Sequence, residues 1–428
     1  MKILQIFDCY GISNARALPG GENGSVASVV YYLSKHLVSK GCDVTILERD
    51  LGGKLPREEY IDGIRYYRIP ARSLPAHPYK LIRSLSGVTK LLIDGYIMAK
   101  KIDNFIKYND FDIIHFHFPF AASVLVSLNR KIRKKTVYTA HVGEESKRFG
   151  LTSDAPLALK LFQPDLYLMK RIRKSIILNE NLKYKLIQKG LKEESIEVIP
   201  NGIDVNEFNS FSRKDIDAVR EKFKVNDKVL LLFVGKIIPR KGVNVLLKAV
   251  KLVVELGHNN FVLLLVGDTR LDTEFYNRMV KYVESNKLGK FVKFTGFVSY
   301  NDLKALYSAC DIFVFPSFEE GDPIALKEAL ASGKPLIGSN VSGIPMQIRS
   351  GWNGFLVEPG NEKMLAEKIK YLIDNEEERI RMGKNSRKLA EEKFDWSKIA
   401  DRYLEIYKTI VGGDINEIQK KVCRYLCY

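Results

Sequence analysis

The chain contains few of the residues that mark disulfide-rich, membrane-spanning or metal-binding proteins. It has five cysteines among 428 residues, an odd number scattered along the sequence, which is typical of reduced thiols in the cytosol. Cys423 and Cys427 lie close together, but no second pair of ligands accompanies them, so we expect no metal site. No run of about 18 apolar residues occurs, which argues against a membrane-spanning helix. These absences favour a cytoplasmic protein.

The glycine pattern of dinucleotide-binding proteins is also missing. No Gly-x-Gly-x-x-Gly follows the first strand that we predict, Lys2–Phe7, and this disfavours a dinucleotide oxidoreductase. Residues 1–8 become charged too early for a signal peptide and instead read as that buried strand. Neither a fixed-period repeat nor a low-complexity segment occurs. A chain of 428 residues is too long for one ordinary core and fits two domains of about 200 residues each.

Acidic residues are scarce relative to basic ones. The chain has 68 lysines and arginines against 51 aspartates and glutamates, a net charge of +17. Residues 1–205 contribute 32 basic and 21 acidic residues, or +11 of that excess. Such a surface suits an anionic membrane, a phosphorylated acceptor or nucleic acid, and a merely solvated surface explains any single run of charge. Because no nucleic-acid-binding module is recognisable, we expect no nucleic acid partner.

One basic stretch is a candidate for membrane contact. Residues 79–101 mix apolar with basic side chains and contain Asp94 as their only acid. A basic amphipathic helix lies on anionic bilayers, whereas an ordinary helix of this composition packs on a sheet. We predict a helix over Leu81–Ile106 and favour packing. Both interpretations hold if they use different faces of the helix.

Strand and helix patterns alternate along the whole chain. This alternation indicates parallel βαβ units and an α/β fold. Amphipathic helices are predicted over Ser25–Lys40 and Val243–Leu256. The predicted strands are Lys2–Phe7, Asp43–Glu48, Ile64–Ile69, Asp112–His117, Thr136–Ala140, Ser175–Leu178, Ile196–Ile199, Lys228–Val234, Phe261–Val266, Phe291–Thr295 and Ile312–Phe315.

The segment from residue 312 to residue 343 carries the most information about function. The strand Ile312–Phe315 ends at a proline, a polar loop with a glycine follows, and a helix is predicted over Ile324–Ala331 with Gly333 after its end. Glu320 lies in the loop, and Glu328 lies in the second turn of the helix. Free N–H groups at a helix start bind anions, and carboxylates accept hydrogen bonds from hydroxyl groups. The pattern therefore suits a phosphorylated ligand that carries a sugar.

This spacing of two glutamates after a Pro-Ser strand end resembles the signature of retaining, GT-B-fold glycosyltransferases of family 4 (glycosyl transferases group 1). The resemblance implies that Glu320 contacts the donor sugar and that Glu328 contacts ribose hydroxyls. The loop residues implied to meet the diphosphate are Gly321, Asp322, Pro323 and Ile324. The family usually has Glu-Gly-Phe-Gly where this chain has Glu320-Gly321-Asp322-Pro323, and it has Glu where this chain has Met346. An aspartate beside a diphosphate is unexpected.

Other segments extend the resemblance. Lys236, Arg240 and Lys241 lie in a strand-to-helix loop, where cations bind phosphate. The resemblance implies that Lys236 and Lys241 clamp the diphosphate, and it places Val298 at the nucleobase. It also implies that the strand-end His141 approaches the donor sugar. For the glycine loop after the first strand, two registers stay open, one matching Gly20-Gly21 and the other Gly24. We expect Lys241 to be an exposed loop residue.

The resemblance implies two Rossmann-like parallel-sheet domains that face a cleft. We place an acceptor-binding domain at residues 1–205, a nucleotide-sugar-binding domain at 206–394, and a final helix that packs back on the first domain at 395–428. The turn Pro200-Asn201-Gly202 marks the boundary.

We therefore expect a metal-independent, hexosyltransferase-like enzyme that needs no cofactor, because its UDP- or GDP-sugar donor is a substrate. A lipid-linked or cell-surface glycan precursor is the expected acceptor, and the inner face of the cell membrane is one expected location. Two alternatives stay open. A nucleotide-sugar epimerase of the same architecture would turn over without an acceptor, and a non-catalytic basic lipid-binding protein would show no turnover.

Overall fold

The computed structural model describes residues 1–8, 17, 24–52, 55–72, 74, 81, 84–141, 163–208 and 211–426, with the backbone alone for residues 24, 25 and 414–426. Contacts divide the chain into two units. Unit 1 contains Met1–Asn201 and Trp396–Tyr428, and unit 2 contains Gly202–Asp395. The boundary after Asn201 lies a few residues before the boundary predicted from the sequence, which follows residue 205. The C-terminal helix belongs to unit 1.

Each unit is built on one sheet. The strands of unit 1 are β1 Lys2–Phe7, β2 Asp43–Asp50, β3 Glu58–Ile61, β4 Ile64–Pro70, β5 Ile113–Phe116, β6 Thr136–Thr139, β7 Lys174–Ile177 and β8 Ile196–Val198, in the order β3-β4-β2-β1-β5-β6-β7-β8. Those of unit 2 are β9 Val229–Val234, β10 Phe261–Val266, β11 Val292–Gly296, β12 Ile312–Phe315, β13 Leu336–Ser339 and β14 Gly354–Val357, in the order β11-β10-β9-β12-β13-β14.

Helices connect these strands. In chain order they are α1 Gly24–Ser39, α2 Leu85–Tyr108, α3 Pro119–Leu128, α4 Pro164–Met169, α5 Glu180–Gln188, α6 Arg213–Lys222, α7 Val243–Glu255, α8 Thr273–Ser285, α9 Tyr300–Ala309, α10 Ile324–Ala331, α11 Glu362–Asp374, α12 Glu376–Leu389 and α13 Trp396–Leu426. The helix predicted from Leu81 begins at Leu85 instead, because Ser84 caps it by accepting a hydrogen bond from the Gly87 N–H at 3.1 Å.

Parallel pairing dominates both sheets, as the alternation predicted. Every side chain of β10 is buried, which is the pattern of a parallel strand with helices on both faces. The exception is β3, which pairs antiparallel with β4. Asp62 and Gly63 join the two strands with φ angles of 52° and 76°, the left-handed geometry of a tight hairpin turn. This edge strand was not predicted from the sequence, although the Asp62-Gly63 pair is a typical hairpin signal.

Helix α13 completes unit 1. Its first residue, Trp396, stacks on Tyr32 of α1 at a ring-centroid distance of 6.3 Å. Ile399, Tyr403 and Tyr407 are buried on the same side of the helix. The expectation that the final helix returns to the N-terminal part of the chain is confirmed.

Within the described part of the chain, none of the helices combines the length and apolarity needed to cross a bilayer. Cys42 and Cys310 are buried free thiols, and burial raises the pKa of Cys310 to about 12. Cys9 and Cys427 lie outside the described residues, and the side chain of Cys423 is not described.

Candidate functional site

The strand order of unit 2 creates a crevice between β9 and β12. These two strands are neighbours, yet the chain continues from β9 to β10 on one side and from β12 to β13 on the other. Ligands of open α/β sheets bind outside the carboxyl ends of the strands at such a switch point. The loop after β9 carries the predicted cations, and the loop after β12 carries Glu320. The topology therefore brings together two segments about 80 residues apart.

Gly242 allows the loop after β9 to approach the end of β12. Its φ is +69°, and a Cβ at this position would lie 2.0 Å from the Pro316 carbonyl oxygen. Any side chain would collide with the backbone there, so glycine is required. The Phe318 N–H donates to the Arg240 carbonyl at 2.8 Å and ties the two loops together. As a result, Arg240 and Lys241 are held next to the loop of Glu320.

Glu320 is buried between two cations. Its Oε1 accepts a hydrogen bond from Lys241 Nζ at 2.5 Å and one from Arg240 Nη1 at 3.1 Å, and the residue is 5% exposed. The Lys241 side chain is 12% exposed and its Nζ lies 4.8 Å from the centroid of the Phe315 ring. Lys241 is thus not the exposed loop residue that the sequence suggested, because Gly242 draws it against β12.

Burial has an electrostatic consequence for Lys241. Desolvation lowers its pKa, Glu320 acts in the opposite direction, and the nearby charges of Arg240 and Lys236 lower it further. Lys236 itself is exposed after β9. Three cations and one buried carboxylate therefore converge at the switch point, an arrangement that favours an anionic ligand.

Asp322 points away from the crevice. Its carboxylate forms an ion pair with Lys327, and both side chains are 0% exposed. Gln347 Nε2 also donates to Asp322 Oδ1, at 2.8 Å. A contact between Asp322 and a phosphorylated ligand can therefore come only from its backbone. This arrangement explains how an aspartate is accommodated in this loop.

The segment after β13 supports the same loop. The Gly343 N–H donates to the Glu320 carbonyl at 3.1 Å, and a Cβ on Gly343 would lie 1.9 Å from the Gly321 carbonyl oxygen. Pro323 is the N-cap of α10, and Ile324 begins the helix as predicted. The loop is consequently held from two directions, through Gly343 and through Asp322.

Glu328 occupies a different environment from Glu320. Burial raises the pKa of Glu328 to about 7, a contact with the Tyr307 hydroxyl lowers it, and the charge of Glu207 raises it. Val298, the predicted nucleobase contact, follows β11 and is half-buried. Both residues belong to unit 2.

The predicted residues of unit 1 fall partly outside the described chain. Gly20 and Gly21 are not among the described residues, and Gly24 is the first residue of α1. His141 follows β6 and is half-buried. Its Nε2 lies 2.8 Å from Nδ1 of His117, whose Nε2 lies 2.7 Å from the Gln5 Oε1.

Sequence reasoning missed three residues that shape these sites. Gln5 is the one polar residue in the buried part of β1, from Ile3 to Phe7, and this interruption was the signal for a buried hydrogen-bonding role. Lys327 precedes Glu328 on a largely apolar helix, five residues after Asp322. Gln347 carries no local signal. Among the side chains that the structure describes, no three histidine, cysteine, aspartate or glutamate residues form a metal-binding group.

Comparisons with known proteins cover both units. Residues 215–389 match the family model described as Glycosyl transferases group 1, and residues 26–207 match the model described as Glycosyltransferase Family 4. An uncharacterized glycosyltransferase of Methanocaldococcus jannaschii is 28% identical over 390 residues, which cover 88% of this chain and 92% of that protein. The capsular polysaccharide biosynthesis glycosyltransferase CapM of Staphylococcus aureus is 31% identical over 258 residues, which cover 58% of this chain and 65% of CapM.

A solved structure shows the same fold. The HepE protein of Anabaena, crystallised with UDP and glucose, superimposes with a TM-score of 0.74 at 21% identity, covering 96% of this chain and 100% of HepE. The two Rossmann-like parallel sheets expected from the sequence are thus found again in this neighbour.

Proposed function

The chain belongs to the glycosyl transferases group 1 family, and on this premise we propose that it is a retaining enzyme that moves a hexosyl group from a nucleoside-diphosphate sugar to an acceptor. The observation that carries the proposal is the convergence of Arg240, Lys241 and Glu320 at the switch point of unit 2. The cations suit a diphosphate, and the carboxylate suits sugar hydroxyls. The UDP and glucose held by the HepE crystal structure support a donor of this class.

The difficult step is the cleavage of the bond between the anomeric carbon and the diphosphate. Positive charge develops on the sugar ring and negative charge on the leaving diphosphate. Lys236, Arg240 and Lys241, together with the N–H groups at the start of α10, stabilise that negative charge, and the burial of the Lys241 side chain strengthens its interaction with the ligand. These cations act in place of a metal ion, so the proposed reaction is metal-independent.

The other groups hold the donor in place. Glu320 orients the sugar hydroxyls, Glu328 accepts hydrogen bonds from the ribose, and the backbone at Val298 meets the nucleobase. His141 is a further proposed contact of the donor sugar. The acceptor oxygen forms a bond to the anomeric carbon as the bond to phosphate breaks, and its proton passes to the departing phosphate.

The proposed acceptor is a lipid-linked or cell-surface glycan precursor. The name of CapM, a capsular polysaccharide biosynthesis enzyme, supports a glycan of this kind. The outer face of α2 supports a peripheral position on a membrane, because it exposes Leu92, Ile93, Tyr96 and Ile97 to solvent.

A screen of UDP- and GDP-sugars for slow donor hydrolysis tests the proposal. We expect one of these donors to be hydrolysed, with no loss of rate in the presence of a chelator. Glu320→Gln should lower turnover by about 100-fold or more, because a charge-assisted contact in a buried site is lost. Nucleoside diphosphate binding, measured by calorimetry, should survive.

Glu358→Gln, at an exposed position of the same unit, is the matched control and should keep its turnover. An unchanged turnover of the Glu320 variant would remove the proposed donor-sugar contact. Conversion of a nucleotide sugar into its epimer without any acceptor would favour the epimerase alternative. A dependence on added metal would contradict the metal-free mechanism.

A further inference from the structure

A continuous chain of buried hydrogen bonds joins α13 to His141 inside unit 1. The Tyr407 hydroxyl lies 2.7 Å from His115 Nδ1 and accepts from Gln5 Nε2 at 3.5 Å. Gln5 Oε1 lies 2.7 Å from His117 Nε2, and His117 Nδ1 lies 2.8 Å from His141 Nε2. Gln5, His115, His117 and Tyr407 are all buried. These residues lie on β1, on β5 and just after it, just after β6, and on α13, so tertiary structure alone assembles the chain of bonds.

The two inner histidines are neutral. Burial lowers the pKa of both His115 and His117 far below the ordinary value, and the neighbouring histidines lower it further. A neutral imidazole has one N–H donor and one acceptor nitrogen. The position of the proton on one imidazole ring therefore decides whether the neighbouring group donates or accepts the hydrogen bond between them.

The Gln5 amide gives the chain of bonds its direction. Nε2 of Gln5 donates to the Tyr407 hydroxyl, and the hydroxyl lies 2.7 Å from His115 Nδ1. The arrangement that also uses the single proton of this hydroxyl has it donated to His115 Nδ1. His115 then carries its proton on Nε2, which donates to Thr139 Oγ1 at 2.7 Å. On the other side, Gln5 Oε1 accepts from His117 Nε2–H. The remaining nitrogen of His117, Nδ1, is left as an acceptor and requires a donor from His141.

We propose that Gln5, His117 and Tyr407 are positioning residues that fix His141 as the tautomer with its proton on Nε2. In that tautomer, the neutral ring of His141 has its acceptor lone pair on Nδ1. This lone pair can accept a hydrogen bond from a sugar hydroxyl, a role that rests on the function proposed above. The tautomer itself does not depend on that function.

The opposite orientation of the Gln5 amide would produce the opposite histidine tautomers, and this difference can be measured. A flipped Gln5 amide would donate to His117 Nε2 and accept from Tyr407, and every proton along the chain would move to the other nitrogen. His115, His117 and His141 would then all carry their protons on Nδ1. The proposed direction puts all three protons on Nε2.

Long-range nitrogen–proton NMR of histidine-labelled protein tests the inference without any substrate. The chain has only six histidines, so the ring signals can be assigned by single substitutions. We expect Nε2–H tautomers for His115, His117 and His141. A mixture of tautomers at His141, or Nδ1–H at any of the three, would overturn the proposal.

Tyr407→Phe removes the hydroxyl that anchors the Gln5 amide. We expect the Nε2–H signal of His141 to be replaced by a mixture of tautomers. The variant should still unfold cooperatively, at a somewhat lower temperature, because Gln5 and His115 each lose a buried partner. Turnover of the hydrolysed donor should fall by about tenfold, as when a histidine loses the partner that orients it, while the KM of the donor changes little.

Tyr66→Phe is the matched control. Tyr66 is a buried tyrosine of the same unit whose hydroxyl donates to the Ala17 carbonyl at 3.0 Å, outside this chain of bonds. The control should keep both the His141 signal and the turnover. A Tyr407 variant with an unaltered His141 signal would overturn the inference. The predicted tautomers in a protein that hydrolyses no donor would instead refute the proposed function.

Discussion

Glu320 and Glu328 lie eight residues apart, but their side chains are in different electrostatic environments. Glu320 accepts hydrogen bonds from Arg240 and Lys241, so its charge is neutralised in place. Burial raises the pKa of Glu328 to about 7, the hydrogen bond with Tyr307 lowers this pKa, and the negative charge of Glu207 raises it. The sequence showed only two carboxylates at a familiar spacing. Their electrostatic environments depend on residues that lie far away in the chain.

The raised pKa of Glu328 predicts a pH-dependent stability. The ordinary pKa is 4.5 and the folded value is about 7, so the folded state binds more protons between these two values. The free energy of unfolding therefore falls as pH rises from about 4.5 to about 7 and levels off above. Glu328→Gln removes this titration, and its stability relative to the original protein should rise over that window by on the order of 3 kcal/mol.

Thermal unfolding at pH 5 and pH 8 checks this prediction. Glu367→Gln, at an exposed position on α11, controls for the loss of one negative charge. A stability difference between the Glu328 variant and the original protein that is the same at both pH values would contradict the raised pKa.

At the scale of an element, the start of α10 is tied to the preceding loop by a buried ion pair, in addition to the apolar packing of the helix. Asp322 lies just before the helix and pairs with Lys327, five positions later. Gln347 donates to the same carboxylate, and Lys327 Nζ lies 4.8 Å from the centroid of the Phe394 ring. Breaking a buried pair by removing one partner is costly, because an uncompensated charge remains. The helix start that carries the Glu320 loop therefore depends on both members.

We predict strong coupling between Asp322 and Lys327. Lys327→Met and Asp322→Asn should each destabilise unit 2 by about 3–5 kcal/mol, since each leaves one buried charge unpaired. The double variant should be more stable than either single variant, because no buried charge remains. Unfolding in urea measures the four proteins of this cycle. Additive losses would show that the two side chains act independently.

At the scale of the whole molecule, net charge and exposed apolar surface coincide on unit 1. The chain carries +17, and α2 exposes Ile93 at 55% and Tyr96 at 49% beside lysines. Its one acid in the 79–101 stretch, Asp94, is paired with Arg49. The opposite face of α2 packs on the core through Leu91, Met98 and Ile102. The two interpretations of this helix therefore use different faces.

This surface predicts binding to anionic lipid vesicles. Vesicles of phosphatidylcholine with phosphatidylglycerol should bind the protein at low salt and release it as salt rises, because the screening length falls to about 10 Å at 0.1 M. Ile93→Glu should weaken sedimentation with these vesicles. Leu256→Glu, an exposed apolar position of unit 2, is the matched control. Equal binding to pure phosphatidylcholine vesicles would remove the electrostatic part of the proposal.

The sequence alone determined most of the strands and their order along the chain, with β3 as an exception. Apolar runs predicted β10 and β12 with their observed bounds, and the proline and glycine around α10 predicted where that helix begins and ends. These features depend on local backbone preferences and on the period of apolar residues, which the sequence carries directly. The family resemblance followed from the same local patterns, and its fold is confirmed.

Only the tertiary structure decided which side chains meet. Lys241 contacts Glu320 from 79 positions away, and Gln5 contacts Tyr407 from 402 positions away. The inward turn of Asp322 and the burial of Lys241 also depend on residues outside their own segments. Contacts of this kind, and the burial that they cause, arise when two distant segments pack together. They therefore cannot be predicted from the composition of either segment alone.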